Sequence, residues 1–297
     1  LTEASETAHI AAGVLSPREL MLVGSADQAA AFHADVAALN LAEIPPADAI
    51  SRVPILSAAK VTHAALSPTA RDLDTDRVLQ RAARRIRNAG GTIVTRADVR
   101  AIQHDGDGWT VSTDDEVTAN LLINAAGAWA DQIASLAGVA PIGLQPKRRS
   151  MARLPAPGGH DVTGWPMLMG VDEGWYAKPD AGGWIVSPSE ADPVDPCDAW
   201  PDDMVLATGI ARYEAIVTEP VTRVETSWAG LRTFPPDGVP ALGPDPDHPG
   251  FIWCAGQGGY GFQTAPAAAR LTAQLALGQT PDLDAETVAA LNPRRFR

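Results

Sequence analysis

Apolar and polar positions recur with a helical period in two early segments of the chain. Residues 26–40 (ADQAAAFHADVAALN) are typical of an amphipathic helix. A second helix is predicted after residue 74, with Asp74 or Thr75 as its cap and Gly90-Gly91 as its end. One apolar face of this helix consists of Val78, Leu79, Ala82, Ala83 and Ile86.

The pattern then changes to short apolar runs separated by turn residues. TIVT (92–95) is predicted to be a strand, and VRAIQ and WTVST, joined by the turn at 105–108, to form a β-hairpin. An apolar strand is predicted over 121–127, with a helix following it to about Leu136. This alternation indicates an α/β sheet that contains parallel strands.

Residues 141–245 have a different character, and the earlier pattern returns after them. WYAKP and GWIVSPS, joined by a turn at 180–183, favour an antiparallel sheet. From Gly250 the chain has a strand (FIWCAG), a glycine-rich turn (GQGGYG) and a helix that ends at Gly278. The predicted fold class is therefore mixed α/β, with an α/β domain in discontinuous pieces interrupted by a β-rich domain.

Composition excludes several classes of function. The 23 Lys and Arg against 36 Asp and Glu give a formal charge of −13, which disfavours nucleic-acid binding. No apolar run is long enough to span a membrane. Two distant cysteines fit a cytosolic compartment better than a disulfide framework. The metal-binding patterns H-E-x-x-H and C-x-x-C, the G-x-S-x-G elbow and the P-loop are all missing from the sequence.

Two turns of small residues follow predicted strands. Residues 256–261 fit G-x-G-x-x-G and open a helix, whose N-terminus favours an electron-rich ligand. The usual ribose-binding acid is missing, because Asp282 and Asp284 come after the helix, so a standard dinucleotide fingerprint is not expected. The second turn is Asn124–Trp129. Close ligand approach and tight strand–helix packing are both open explanations for each turn.

Three further positions are candidates for chemistry. Arg232 lies among apolar residues in WAGLRTF, so either a ligand carboxylate or an internal acid is expected to pair with it. The run Lys147-Arg148-Arg149 is more often a solvated basic face than a site. Tyr176 is more often a buried tyrosine with a satisfied hydroxyl than a ligand contact.

Four stretches in this order resemble the FAD-dependent D-amino-acid oxidase superfamily, above all its bacterial D-amino-acid dehydrogenases of the D-arginine dehydrogenase type. The resemblance runs from about Pro17 to the C-terminus. Its most specific stretches are GLQPKRRS (143–150), WPMLMGVDEGWYAKPDAG (165–182), SWAGLRTF (227–234) and AGQGGYGFQT (255–264).

The resemblance implies an FAD-binding domain interleaved with a substrate domain. Segments 71–140 and 246–297 would bind FAD, and segments 1–70 and 141–245 would form the substrate domain with its antiparallel sheet. The implied reaction is hydride transfer from a D-amino acid to flavin N5, giving a 2-oxo acid and ammonia. Oxygen or a quinone-like carrier would reoxidise the flavin.

The resemblance also implies roles for individual residues. Arg232 would bind the substrate carboxylate, with help from the Tyr176 hydroxyl, and Arg149 would lie near the same pocket. Gly259 would offer its backbone to substrate or flavin. The cofactor contacts would be Val99 near the adenine, Ala126 and Gly127 along the cofactor, and Gly258, Gly261, Phe262, Gln263 and Thr264 at the flavin ring.

One departure from the family changes these expectations. The family begins with a strand, a G-x-G-x-x-G turn and a helix that bind the FAD pyrophosphate, and the 297 residues from Leu1 onwards do not open with such a segment. We therefore expect a truncated chain that holds FAD poorly and exposes apolar surface around residues 121–125. A non-catalytic remnant is the alternative. A related flavoenzyme acting on secondary amines such as sarcosine or proline is a further one.

Substrate preference can also be predicted from the resemblance. Relatives that prefer D-arginine carry an acid shortly before the motif that here reads Leu15-Ser16-Pro17-Arg18, and residues 9–14 contain none. The nearest acid upstream is Glu6, which a shifted alignment would bring to this place. A guanidinium desolvated without a partner is costly. We therefore expect neutral or apolar D-amino acids to be preferred over D-arginine and D-lysine.

Overall fold

The computed structural model describes residues 9, 10 and 12–297, and the chain divides into two compact units. The first unit comprises Leu1–Ala89, Arg149–Ala191 and Ala199–Gly230, and the second comprises Gly90–Arg148, Asp192–Asp198 and Leu231–Arg297. The predicted segments change at residues 70, 140 and 245 instead, and their assignment to FAD or substrate stays a prediction. Among the described residues, no helix is long and apolar enough to cross a membrane.

Strands and helices are numbered in chain order. The strands are β1 (Leu15–Pro17), β2 (Leu20–Gly24), β3 (Ala42–Ile44), β4 (His63–Ser67), β5 (Arg71–Leu73), β6 (Ala101–His104), β7 (Trp109–Ser112), β8 (Glu116–Ala119), β9 (Leu122–Asn124), β10 (Gln145–Leu154), β11 (Met167–Gly170), β12 (Tyr176–Asp180), β13 (Gly183–Ser187), β14 (Thr226–Phe234), β15 (Ala241–Pro244) and β16 (Phe251–Ala255). The α-helices are α1 (Ala29–Leu39), α2 (Pro46–Arg52), α3 (Thr75–Asn88), α4 (Ala130–Leu136), α5 (Asp203–Glu214), α6 (Gly261–Ala276) and α7 (Ala285–Leu291).

The largest sheet has the strand order β14-β10-β13-β12-β11-β2-β4-β3. Its pairs β10–β13, β12–β13 and β11–β12 are antiparallel, and β2–β11 is parallel. In the register of the central strands, Val186 lies opposite both Ala152 and Ala177. The side chains at these three positions point to the same face of the sheet and belong to the main hydrophobic core. Neighbouring residues on a strand point to opposite faces. Tyr176 and Lys178 therefore point to the other face.

The second unit contains two smaller sheets. One has the order β15-β16-β9, in which β9 and β16 are parallel, and the other is the antiparallel meander β6-β7-β8. Trp109, Phe251 and Trp253 are buried together in its core. Helix α6 packs against β15 and β16, and β16 leads into it through the glycine-rich turn. The fold is mixed α/β, as the sequence pattern predicted.

Several predicted elements differ from the structure. The predicted strand at 92–95 is irregular and Val94 is 67% exposed, because the segment has no partner strand among the described residues. Helix α3 has the predicted cap, since the Asp74 carboxylate accepts a hydrogen bond from the Arg77 backbone N–H, but none of its residues is buried. Its Leu79 is 58% exposed.

The sequence pattern also missed elements. They are the strands β1 to β5, β8, β10, β11, β14 and β15 and the helices α2, α5 and α7. Strands β2 to β4 lie within the first 70 residues, where frequent alanine and proline obscure the alternation of apolar and polar positions that is typical of a strand. Within residues 121–125, Leu121 is 40% exposed and Ile123 is 48% exposed.

One buried carboxylate joins several parts of the second unit. Asp245 is 1% exposed and accepts hydrogen bonds from Trp253 Nε1 at 3.0 Å and Arg297 Nη2 at 2.7 Å. The backbone N–H groups of Asp247 and His248 also donate to it. Burial by itself would raise the pKa of Asp245, but these donors outweigh burial and the pKa is lowered.

We expect Asp245→Asn to destabilise the protein by about 2–4 kcal/mol at neutral pH, because an amide N–H₂ would face two donors. A lowered folded-state pKa stabilises the protein above the unfolded value of about 4, and this stabilisation is lost as pH falls through the folded pKa. Thermal unfolding from pH 7 to pH 3 should therefore show a difference between wild type and variant that shrinks in acid. A constant difference would contradict the ionised state assigned to Asp245.

Candidate active site

The glycine-rich turn of the second unit, Gly256–Gly261, is shaped by contact with the end of β14. The backbone N–H of Gly258 donates to Thr233 O at 2.9 Å. A Cβ atom on Gly258, whose φ is +54°, would lie 2.5 Å from the Phe234 ring. One on Gly259 would lie 3.2 Å from Arg232 Nη1. The glycines therefore allow the turn to lie directly on β14.

Arg232 is half-buried beside this turn. Its side chain makes no ion pair and no hydrogen bond with any residue that the structure describes. Of the two partners expected from the sequence, an internal acid is therefore not found in that part of the chain. A cation held beside a turn of backbone N–H groups, without a counter-charge, suits an anionic ligand.

Helix α6 begins directly after the turn. Tyr260 occupies the cap position without a side-chain cap bond, and the first helical residues are Gly261, Phe262 and Gln263. The backbone N–H groups of a first helical turn have no partner within the helix. Thr264 Oγ1 donates to Tyr260 O at 2.9 Å, so this hydroxyl is occupied by the helix itself.

The second predicted turn has an internal brace. Asn124 is buried at the end of β9, its Nδ2 donates to Ala130 O at 2.7 Å, and its Oδ1 accepts from the Ala126 N–H. Gly127 has a φ of +57° and open space where a Cβ would lie. Val99 and Ala126 are half-buried and pack against the core of the second unit. Packing therefore accounts for Val99 and Ala126, while Gly127 keeps the open space that a ligand would need.

The other predicted residues lie in the first unit, on the face of the large sheet that points away from its main core. Tyr176 on β12 donates its hydroxyl to Met151 Sδ on β10 at 3.2 Å. Arg149 lies two residues before Met151 on the same strand, and it is 8% exposed. The structure therefore brings Arg149 and Tyr176 to one sheet face, and separately brings Arg232 and Gly259 together in the second unit.

An ion-paired cluster flanks Tyr176. Asp72 Oδ2 lies 2.7 Å from Arg18 Nε, and its Oδ1 lies 2.9 Å from Lys178 Nζ. Burial favours a higher pKa for Asp72, but Lys178 and Arg18 together lower it. The cluster joins β5 to β12 and to the segment after β1. It holds Lys178, two positions from Tyr176, in a fixed place.

One residue of interest escaped the sequence patterns. Both carboxylate oxygens of Glu190 are shielded from solvent and accept no hydrogen bond from the described residues. Glu190 follows β13 and the left-handed Ser189, whose φ is +56°. A shielded carboxylate without donors is costly, so Glu190 is a candidate for binding a cation. No motif surrounds it, and it differs from the buried Asp245 because its carboxylate has no hydrogen-bond donor among the described residues.

Comparison with known proteins assigns the family. Residues 2–275 match the model of the DAO family, described as FAD dependent oxidoreductase. The chain belongs to the DAO family of FAD-dependent oxidoreductases. It is 27% identical over 186 residues to FAD-dependent oxidoreductase domain-containing protein 1 of Xenopus laevis, covering 54% of this chain and 35% of that protein. It is 28% identical over 199 residues to glycine oxidase of Pseudomonas aeruginosa, covering 64% and 51%.

The matched stretch therefore spans about a third to a half of the length of these relatives. Among solved structures, L-proline dehydrogenase from P. horikoshii is similar, with a TM-score of 0.79 and 22% identity. The match covers 99% of this chain and 80% of that one. At this identity the likeness establishes the fold.

No group of three or more acids, histidines or cysteines in the described residues could hold a metal ion.

The family cofactor is FAD, and the glycine turn fits a flavin ring. The turn carries no side chain at Gly258, Gly259 or Gly261, and α6 presents unpaired backbone N–H groups just beyond it. If FAD were bound beside this turn, these donors and the helix dipole would stabilise the negative charge that the N1–C2 carbonyl edge of its ring gains on reduction.

Gly258→Ala should destabilise the protein by about 1–3 kcal/mol, because the new Cβ meets Phe234 and the positive φ is strained. In a Phe234→Ala background the same change should cost less, which a double-mutant cycle of thermal unfolding would measure. Gly164→Ala is the matched control, since a Cβ there has open space. Equal costs in both backgrounds would show that the turn does not rest on Phe234.

Proposed function

We propose that this protein oxidises α-amino acids, and D-enantiomers in particular, to 2-oxo acids and ammonia with FAD as hydride acceptor. The observation that carries the proposal is Arg232. Its half-buried guanidinium has no acidic partner among the described residues, and it adjoins the glycine turn that suits a flavin. Guanidinium groups bind carboxylates in a bidentate manner, and a carboxylate is common to all amino-acid substrates.

The relatives support the general reaction more than a particular substrate. One curated relative is named glycine oxidase, and a similar structure is named L-proline dehydrogenase. The D-amino-acid preference rests on the resemblance of GLQPKRRS, SWAGLRTF and the neighbouring stretches to D-amino-acid dehydrogenases. A secondary amine such as sarcosine or proline is the second candidate, and the name of the structural relative favours testing it.

The roles proposed for the chain's own residues follow from their chemistry. Arg232 binds the substrate carboxylate and so orients the Cα–H bond. We propose Tyr176 and Arg149 as further contacts of the carboxylate only because the family resemblance implies these roles. Bound FAD supplies the two-electron acceptor for the hydride that leaves Cα. The product imino acid is hydrolysed by water to the 2-oxo acid and ammonia.

A substrate panel tests the reaction. We expect the full-length protein, loaded with FAD, to turn over at least one D-amino acid faster than its L-enantiomer, with glycine, sarcosine and L-proline as comparisons. Turnover should be followed both by oxygen consumption and with an artificial electron acceptor. A preference for sarcosine or L-proline would favour the second candidate, and no turnover of any amine would contradict the proposal.

The panel should also include D-arginine beside D-methionine. The expected result is higher kcat/KM for D-methionine, because residues 9–14 offer no acid for a guanidinium. A clear advantage for D-arginine would contradict this expectation and direct attention to Glu190.

Arg232→Ala should lower kcat/KM by a factor equivalent to about 2–5 kcal/mol of lost transition-state stabilisation. The variant removes the cation that pairs with the substrate carboxylate. Arg232→Lys should also be poor, because an ammonium cannot form the bidentate fork. Arg270→Ala is the matched control, since that arginine is exposed and pairs with Asp282. Near-native kcat/KM in either Arg232 variant would show that another group binds the carboxylate.

A further inference from the structure

The Tyr176 hydroxyl is held by an unusual acceptor. Tyr176 lies on β12 and Met151 on β10, with β13 between them in the sheet. The hydroxyl donates to Met151 Sδ at 3.2 Å. Two strand spacings, roughly 10 Å, separate the two backbones, so both side chains must lean over β13 to meet.

A small residue on β13 makes this crossing possible. Ser187 lies opposite Tyr176 in the register and is fully buried. Its Oγ donates to the backbone carbonyl of Ser150 at 2.8 Å and accepts from the Ser189 N–H. The serine hydroxyl is therefore engaged with backbone groups, and the acceptor of the Tyr176 hydroxyl is the Met151 thioether.

A thioether is a weak hydrogen-bond acceptor, and a carboxylate is a strong one. A hydroxyl that donates to sulfur therefore has a fixed direction, and it can exchange this acceptor for a carboxylate at a small cost in free energy. Arg149 lies two residues from Met151 on the same strand, so its side chain points to the same face of the sheet as the hydroxyl. The family resemblance places this cation near the pocket of the substrate carboxylate.

We propose that Met151 is a positioning residue that competes with the substrate carboxylate for the Tyr176 hydroxyl, so that the acceptor strength of residue 151 sets KM. This inference rests on the proposed function, in which Tyr176 binds that carboxylate. Every substrate that binds must break the Tyr176–Met151 hydrogen bond. A stronger acceptor at residue 151 therefore weakens substrate binding, and a side chain without an acceptor does not.

Two substitutions of similar size separate the acceptor from the packing. Met151→Gln places an amide oxygen within reach of the hydroxyl, and we expect KM to rise roughly two- to tenfold with a smaller change in kcat. Met151→Leu removes the acceptor and should leave KM unchanged or lower. Met204→Gln on α5 is the matched control, because Met204 is an exposed methionine, and it should leave both constants unchanged.

A second readout does not depend on turnover. The chain has only three tyrosines, so ¹³Cζ-tyrosine labelling gives three NMR signals, and Tyr176→Phe identifies one of them. The Tyr176 signal should move in Met151→Leu and in Met151→Gln, and stay unchanged in Met204→Gln. Added propionate, a carboxylate without an amine, should move it in the wild type at a lower concentration than in Met151→Gln.

The two readouts distinguish failure of the inference from failure of the proposed function. An unchanged KM in Met151→Gln, or a Tyr176 signal indifferent to both Met151 substitutions, would overturn the role of Met151 whatever the enzyme oxidises. A wild type that oxidises no amine would count against the proposed function. The propionate titration would then still decide whether a carboxylate and Met151 compete for Tyr176.

Discussion

Neighbouring side chains on β10, β12 and β13 point to opposite faces of one sheet, and the burial of one face constrains everything on the other. Ala152, Ala177 and Val186 face the core in register. A shift of one residue would move apolar side chains to the face of Arg149 and Tyr176 and charged ones to the core. The polar face that carries Arg149, Met151 and Tyr176 is therefore fixed by the packing of residues that have no role in chemistry.

The charged groups of the structure fall into two classes. Asp245 and Asp72 are surrounded by donors that lower the pKa of each carboxyl, and they join distant parts of the chain. Arg232 and Glu190 lack such partners among the described residues. Burying a charge without a partner costs stability, so a protein keeps such groups where a ligand supplies the partner. This contrast distinguishes candidate binding residues from structural ones.

Gly258 and Gly259 of the glycine-rich turn have a structural role, and the proposed function gives the same residues a second role. Gly258 and Gly259 allow the turn to contact Phe234 and Arg232, which places the start of α6 beside the candidate carboxylate-binding group. The pattern G-x-G-x-x-G alone favours a phosphate-binding loop. Here the glycines first allow the turn to lie against the protein's own β14, and the first turn of α6 would offer its backbone N–H groups to a flavin bound beside it.

The sequence by itself determined what depends on near neighbours. The cap at Asp74, the hairpin turns at 105–108 and 180–183, and the strand-turn-helix around Gly256–Gly261 could be predicted, because periodicity and turn chemistry act over a few residues. The tertiary structure alone decided which strands found partners. Residues 92–95 have no partner strand among the described residues, whereas β2 to β4 are paired although their alanine-rich sequence gives no clear strand pattern. It also decided that Arg232 meets no acid in the described chain, that Glu190 is shielded, and that Tyr176 reaches Met151. All three features depend on residues that are distant in sequence and become neighbours only in the folded chain, so no local sequence pattern predicts them.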